Sequence, residues 1–144
     1  MNRMSSNKQL TTDEYVALNL LHEEDREIFD KCKNLAYDLS HAFELGLEVI
    51  EPKRRPIHGC AYGLCYVDDY KISILFRYKY RMGMWKTEPN YHLRGQWENK
   101  LARHPDGIVD TVIHEVAHLR YKNHGKDHKS FMAELKEWTE EHIL

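Results

Sequence analysis

The string His114-Glu115-Val116-Ala117-His118 sets two imidazoles four residues apart with a carboxylate between them. On a helix, residues four apart lie one turn above each other on the same face, so both rings can reach one metal ion without bending the backbone. Glu115 follows His114 by about 100° around the helix axis. That puts its carboxylate within reach of a water at such an ion while leaving it out of the ligand set. A catalytic zinc takes three protein ligands and keeps a fourth position open. Two later histidines can supply the third ligand: His124, six residues after His118, and His128, ten after. His124 is preferred. A helix end near Tyr121 or Lys122, with a positive φ at Asn123 or Gly125, would swing it back over the site. Zinc is the expected metal, because nitrogen ligands in a tetrahedral array suit it best.

A chain with ten histidines and fourteen glutamates contains HExxH by accident in roughly one case in fifteen. The plain alternative is the polar face of an amphipathic helix whose histidines only cover surface. Against it stand the apolar stripe Val109, Val112, Ile113, Val116 and Ala117 in the same segment, and a further histidine after a turn signal.

These side chains need elements to position them. His104-Pro105-Asp106-Gly107 breaks the chain before the metal-binding helix, with Asp106 as its expected N-cap. A last helix is expected from Lys126, with Phe131, Leu135 and Trp138 on one face. Upstream, Thr11 and Glu14 have capping-box spacing ahead of a short helix. Phe29, Cys32, Leu35, Ala36, Leu39 and Phe43 predict a second helix over about 24–44. Residues 47–49 read as a strand ending near Pro52. Residues 59–66 and 70–76 read as a hairpin around Asp68-Asp69. A short helix is expected around 96–102. The fold class is therefore α+β: N-terminal helices, a small antiparallel sheet or hairpin, the metal-binding helix and a C-terminal helix.

His114 to Arg120, followed by His124-Gly125-Lys126-Asp127-His128-Lys129-Ser130-Phe131-Met132, resembles the SprT-like zinc metalloprotease family in its compact YgjP-like form. The signature is HExxH and, after a variable loop, a His-Gly element opening the next helix. Gly59-Cys60-Ala61-Tyr62 leading to Ile72-Ser73-Ile74 is similar to that family's glycine-containing hairpin. The resemblance implies a minimal zincin-like domain, with His114, His118 and His124 as zinc ligands and Glu115 as general base. It further implies protein or peptide as substrate, with DNA or DNA-bound protein as a candidate partner. Oxyanion helpers are sought among Tyr62, Tyr66, His58 and His128. The sequence departs from the family at His128, where Trp or Phe is frequent, and in a longer excursion over 77–103. It also lacks the late cysteines of a zinc ribbon. Metzincins place Gly where Tyr121 stands, and the endoribonucleases of rRNA maturation typically place Gly where Glu115 stands. Two other readings stay open: a nucleic-acid or protein-binding module with a structural or vestigial zinc site, and a metal-dependent endoribonuclease.

Residues 76–104 form a basic, aromatic insertion in which Tyr78, Tyr80, Trp85, Tyr91 and Trp97 alternate with cations. Arg77, Lys79, Arg81 and Lys86 are its candidate nucleic-acid contacts, since bases stack on aromatics and phosphates pair with Lys and Arg. The plain alternative is a loop of solvated charges and aromatic anchors.

The 144 residues suit one domain, read as 11–144 behind a flexible tail over 1–10. A net charge of −2 gives no global field toward nucleic acid or membrane. No secretory signal or membrane span is legible, so a cytoplasmic protein is expected. Cys32, Cys60 and Cys65 have no CxxC spacing and read as small buried hydrophobes with free thiols.

Overall fold

The structure is a computed structural model that describes residues 8–53, 61–81, 86–87, 91–94, 96–101 and 103–142, with only the backbone described over 78–81 and 97–100. Helix α1 (Thr12–Ala17) begins with the expected capping box. Thr11 accepts from the Glu14 amide, and the Glu14 carboxylate accepts from the Thr11 amide. A 3₁₀ turn over Glu23–Asp25 leads into α2 (Arg26–Phe43). Its buried stripe is Phe29, Cys32, Leu35, Ala36 and Leu39, the spacing read from the sequence.

Strands β1 (Val49–Lys53), β2 (Gly63–Tyr66) and β3 (Lys71–Leu75) form a sheet in the order β1-β3-β2. The hairpin is present as β2 antiparallel to β3, joined by a 3₁₀ turn and Tyr70 in the left-handed region. Of its expected first strand, residues 59 and 60 lie outside the described residues. β1 pairs with β3 in parallel, so the sheet is mixed rather than antiparallel. β1 also runs through Pro52 instead of stopping there. It is an edge strand, where a residue without an N–H is tolerated.

β4 (Arg77–Arg81) and β5 (Trp97–Leu101) form a separate antiparallel pair. This corrects the helix expected around 96–102. A two-turn helix is marginal alone, and a strand partner supplies the backbone hydrogen bonds it would lack.

Helix α3 (Pro105–His118) carries the motif, and α4 (Lys126–His142) follows it. The N-cap of α3 is His104, not Asp106: its Nδ1 accepts from the Asp106 amide at 3.2 Å. Proline's fixed φ suits the first helical position, which moves the cap back to the residue before Pro105.

The core lies between the sheet and helices α2 and α3. Ile50, Ile72 and Ile74 meet Phe29, Leu39, Ile108, Val112 and Val116, all essentially fully buried. Each such side chain contributes about 2–3 kcal/mol of burial. Tyr15, Phe29 and Phe76 stack edge to face in series. α4 docks through Phe131 and Leu135, with Phe131 against Phe43 and Tyr121. Arg120 ties the end of α3 to the end of α2 by donating to the Phe43 carbonyl at 2.7 Å while lying over the Phe131 ring. Among the described residues no helix is long and apolar enough to cross a membrane.

Candidate metal centre

α3 is held so that its buried face, Val112, Val116 and Ala117, points to the core. The 100° step of the helix then brings His114, Glu115 and His118 to the rim of that face. After His118 the chain leaves the helix through Leu119, whose amide bonds back to Val116, and Arg120 and Tyr121, whose amides bond to Ala117. The loop then returns His124 over the helix. The helix ends three to four residues earlier than expected. Neither Asn123 nor Gly125 has a positive φ. The reversal comes from the tightened last turn and the Arg120 tether, with no left-handed residue.

The Nε2 atoms of the three predicted ligands converge. His114 and His118 are 3.2 Å apart, His118 and His124 2.9 Å, and His114 and His124 3.1 Å. Nitrogens about 2 Å from one tetrahedral ion stand about 3.3 Å apart, close to these three spacings. The Nδ1 of His118 lies 2.9 Å from the Tyr121 carbonyl. A carbonyl only accepts, so Nδ1 carries the hydrogen and Nε2 keeps its lone pair for a metal. The histidines are thus close enough together to hold one metal ion.

His128 also belongs to this cluster: ring nitrogens of His114, His118 and His128 lie within 4.8 Å of one another. The angles to His118 separate it from His124, whereas those to His114, 34° for His124 and 73° for His128, do not. A ligated ion lies in the plane of each imidazole. The His128 ring is stacked on His118 at 4.0 Å and 21°, and two nearly parallel planes that far apart share no point within about 2 Å of both nitrogens. The His118 and His124 rings cross at 73°. His128 instead donates from Nε2 to the His114 carbonyl at 3.1 Å and is almost fully buried. It supports the helix turn that carries His114.

Glu115 is 6% exposed. Its side chain lies against the backbone of Gly63 in β2. A Cβ at that position would fall 2.9 Å from Glu115 Cγ, 2.9 Å from Thr111 Cγ2 and 3.0 Å from Glu115 Oε2. The missing side chain of Gly63 therefore makes the space that the carboxylate occupies. Burial pushes the Glu115 carboxyl up to about 7. Burial pulls His114 down to about 4, with neighbouring His118, His128 and His124 adding to the effect, and it lowers His118 as well. Neutral rings are the ligating form, and a carboxyl balanced near neutrality can both take and give a proton.

A cavity of about 570 Å³ opens over these groups, lined by His114, Glu115, His118 and His124 on one side and by the β2 segment from Ala61 to Cys65 on the other. A second depression of about 500 Å³ shares His114 and His124 and continues along α4 past Lys129 and Lys136. His114 and His124 stand where the two meet.

The remaining sequence candidates fall out differently. Tyr62 lines the cavity and is half exposed, while Tyr66 does not line it and carries Lys71 over its ring at 4.7 Å. His58 lies outside the described residues. Arg77 is committed elsewhere: it makes a bidentate pair with buried Asp25, 2.8 and 3.1 Å, with Glu24 at 3.6 Å. Lys86 is exposed, and the side chains of Lys79 and Arg81 lie outside the described residues. Cys32 is buried and Cys65 half-buried beside Glu115. Both are free thiols, each raised to about 12 by burial, and Cys60 is outside the described residues. Two site features were missed in the sequence: Gly63 as the residue that admits Glu115, and Arg103 on the cavity wall. A glycine opening an otherwise bulky strand was the available signal for the first. Nothing in the spacing marked the second.

The chain matches no family model, no curated protein and no solved structure.

Proposed function

We propose that this chain is a zinc-dependent metallopeptidase of the SprT-like kind, with His114, His118 and His124 holding the ion and Glu115 acting as general base. The observation that carries the reading is the convergence of three imidazole nitrogens within 2.9–3.2 Å beside a buried carboxylate facing the same cavity. Zinc, when bound, supplies an activated water and polarises the scissile carbonyl. Glu115 takes the proton from the attacking water at its carboxylate and delivers it to the leaving amine. His118 keeps its lone pair outward through its bond to the Tyr121 carbonyl. β2 is the edge strand nearest the site, and an extended peptide can add along it by main-chain hydrogen bonds.

The ribonuclease reading is disfavoured by Glu115, which a carbonyl substrate needs as a base, and by a net charge of −2. The test compares wild type with Glu115→Gln on an unstructured protein such as casein and on a single-stranded RNA, each with and without a chelator. Zinc-dependent cleavage in wild type, with zinc retained and cleavage lost in the variant, is the expected result. Equal cleavage by the variant removes Glu115 as base, and cleavage of RNA alone removes the peptidase.

A further inference from the structure

The proposed chemistry leaves Arg103 without a task, yet its side chain is held on the wall of the cavity. It runs along the first turns of α3 and crosses Gly107, where a Cβ would come within 2.8 Å of Nε and 3.0 Å of Cζ. Any side chain at Gly107 would close that slot. Nη1 donates to Thr111 Oγ1 at 2.9 Å. The Thr111 hydroxyl in turn donates to the Gly107 carbonyl at 3.0 Å, which turns its lone pairs toward the guanidinium. The Tyr62 ring covers the guanidinium at 5.0 Å.

A guanidinium offers five N–H donors and no acceptor. Among the described residues only Thr111 takes one, and no carboxylate lies within ion-pair distance. The group is thus oriented by its neighbours while most of its donors remain available. Thr111 precedes Glu115 by one helical turn, and both flank the backbone of Gly63. That turn rises about 5.4 Å, and an extended peptide advances about 3.3 Å per residue. A peptide lying along that turn would set a residue one or two positions from the bond at the histidines against the guanidinium.

We infer that Arg103 is a carboxylate receptor. It selects substrates with an acidic side chain, or a free C-terminal carboxylate, one or two residues from the scissile bond. This rests on the peptidase reading of the same site. A planar fork matches carboxylate and phosphate alike. However, Glu115 and Asp110 share the cavity wall, and the chain is net acidic, so a single carboxylate is accommodated more readily than a polyanion.

The test uses zinc-loaded wild type, Arg103→Lys and Arg103→Gln with matched peptides. These carry Glu or Gln at each of the two positions on either side of the cleaved bond, and end as free acid or amide. Wild type is expected to prefer one acidic position, or the free acid, by about tenfold or more in kcat/KM. The preference should shrink in Arg103→Lys and fall to about twofold or less in Arg103→Gln. Which pair responds distinguishes side chain from C-terminus. The same peptides are titrated onto zinc-loaded Glu115→Gln to read binding without turnover.

Indifference of wild type to the acid, in cleavage and in binding, overturns the inference, and needs no altered Arg103 to be seen. A preference that survives both Arg103 variants overturns it too. Selective binding of single-stranded RNA over the acidic peptides, lost in Arg103→Gln, makes the ligand a phosphate and overturns it as well. Acid-selective binding without any cleavage leaves the receptor standing and removes the peptidase.

Discussion

Replacing Gly63 with alanine tests how the sheet shapes the site. The added Cβ meets three atoms at 2.9–3.0 Å, where carbon contacts settle at about 3.5–4.0 Å. Overpacking of this kind costs about 1–3 kcal/mol. Gly63 has no positive φ, so alanine fits the backbone and returns about 0.5–1 kcal/mol of chain entropy. The net loss is about 1–2 kcal/mol, or a fall in Tm of about 3–8 °C for a domain of this size. Thr111 is β-branched and fixed on α3, so Glu115 is the group that yields. A carboxylate displaced by part of an ångström loses about tenfold to a hundredfold in turnover. The three histidines are not touched, so zinc content should match wild type. Gly125→Ser is the control. Nothing lies within 4 Å of a Cβ there, and serine caps α4 at least as well, so stability changes by only a few tenths of a kcal/mol. Zinc content, melting temperature and peptide turnover of the two variants are measured side by side. Gly63→Ala with wild-type Tm and turnover would refute the claim that β2 holds the base.

Two further perturbations follow. Asp25→Ala strands the Arg77 guanidinium. It should cost about 2–3 kcal/mol in urea unfolding, below the roughly 3–5 kcal/mol of a fully buried pair, because Arg77 keeps some solvent and Glu24; a loss under about 0.5 kcal/mol would show the pair to be idle. In the metal-free protein, burial raises the Glu115 carboxyl from 4.5 to about 7, so the fold binds its proton more tightly than the unfolded chain does. Ionising it costs stability as pH rises through that window. Metal-free Glu115→Gln should therefore be more stable than wild type at pH 8, by about 1–3 kcal/mol, with the gap closing toward pH 4. A gap independent of pH contradicts the assigned cause.

What the sequence revealed divides by the range of the interaction involved. The capping box at Thr11, the stripe of α2, the hairpin and the helix carrying His114 and His118 are set by neighbours within a few residues, and they were legible. That His124 returns to the other two histidines was legible, though the turn is made without the left-handed residue expected. What escaped depends on distant partners. β5 is a strand because Arg77–Arg81 lies beside it, and β1 is parallel because β3 is central. Arg77 read as an open cation until the fold placed Asp25 against it. Gly63 and Arg103 acquire meaning only when β2 and the start of α3 are brought together.

The central claim is best tested by counting metal. Zinc per chain is measured by elemental analysis after dialysis for wild type, His118→Ala, His124→Ala and His128→Ala. One zinc is expected in wild type, none in the His118 and His124 variants, and a bound but more weakly held zinc in His128→Ala. A wild type without metal, or a site that survives loss of His124 and vanishes with His128, would contradict the claim.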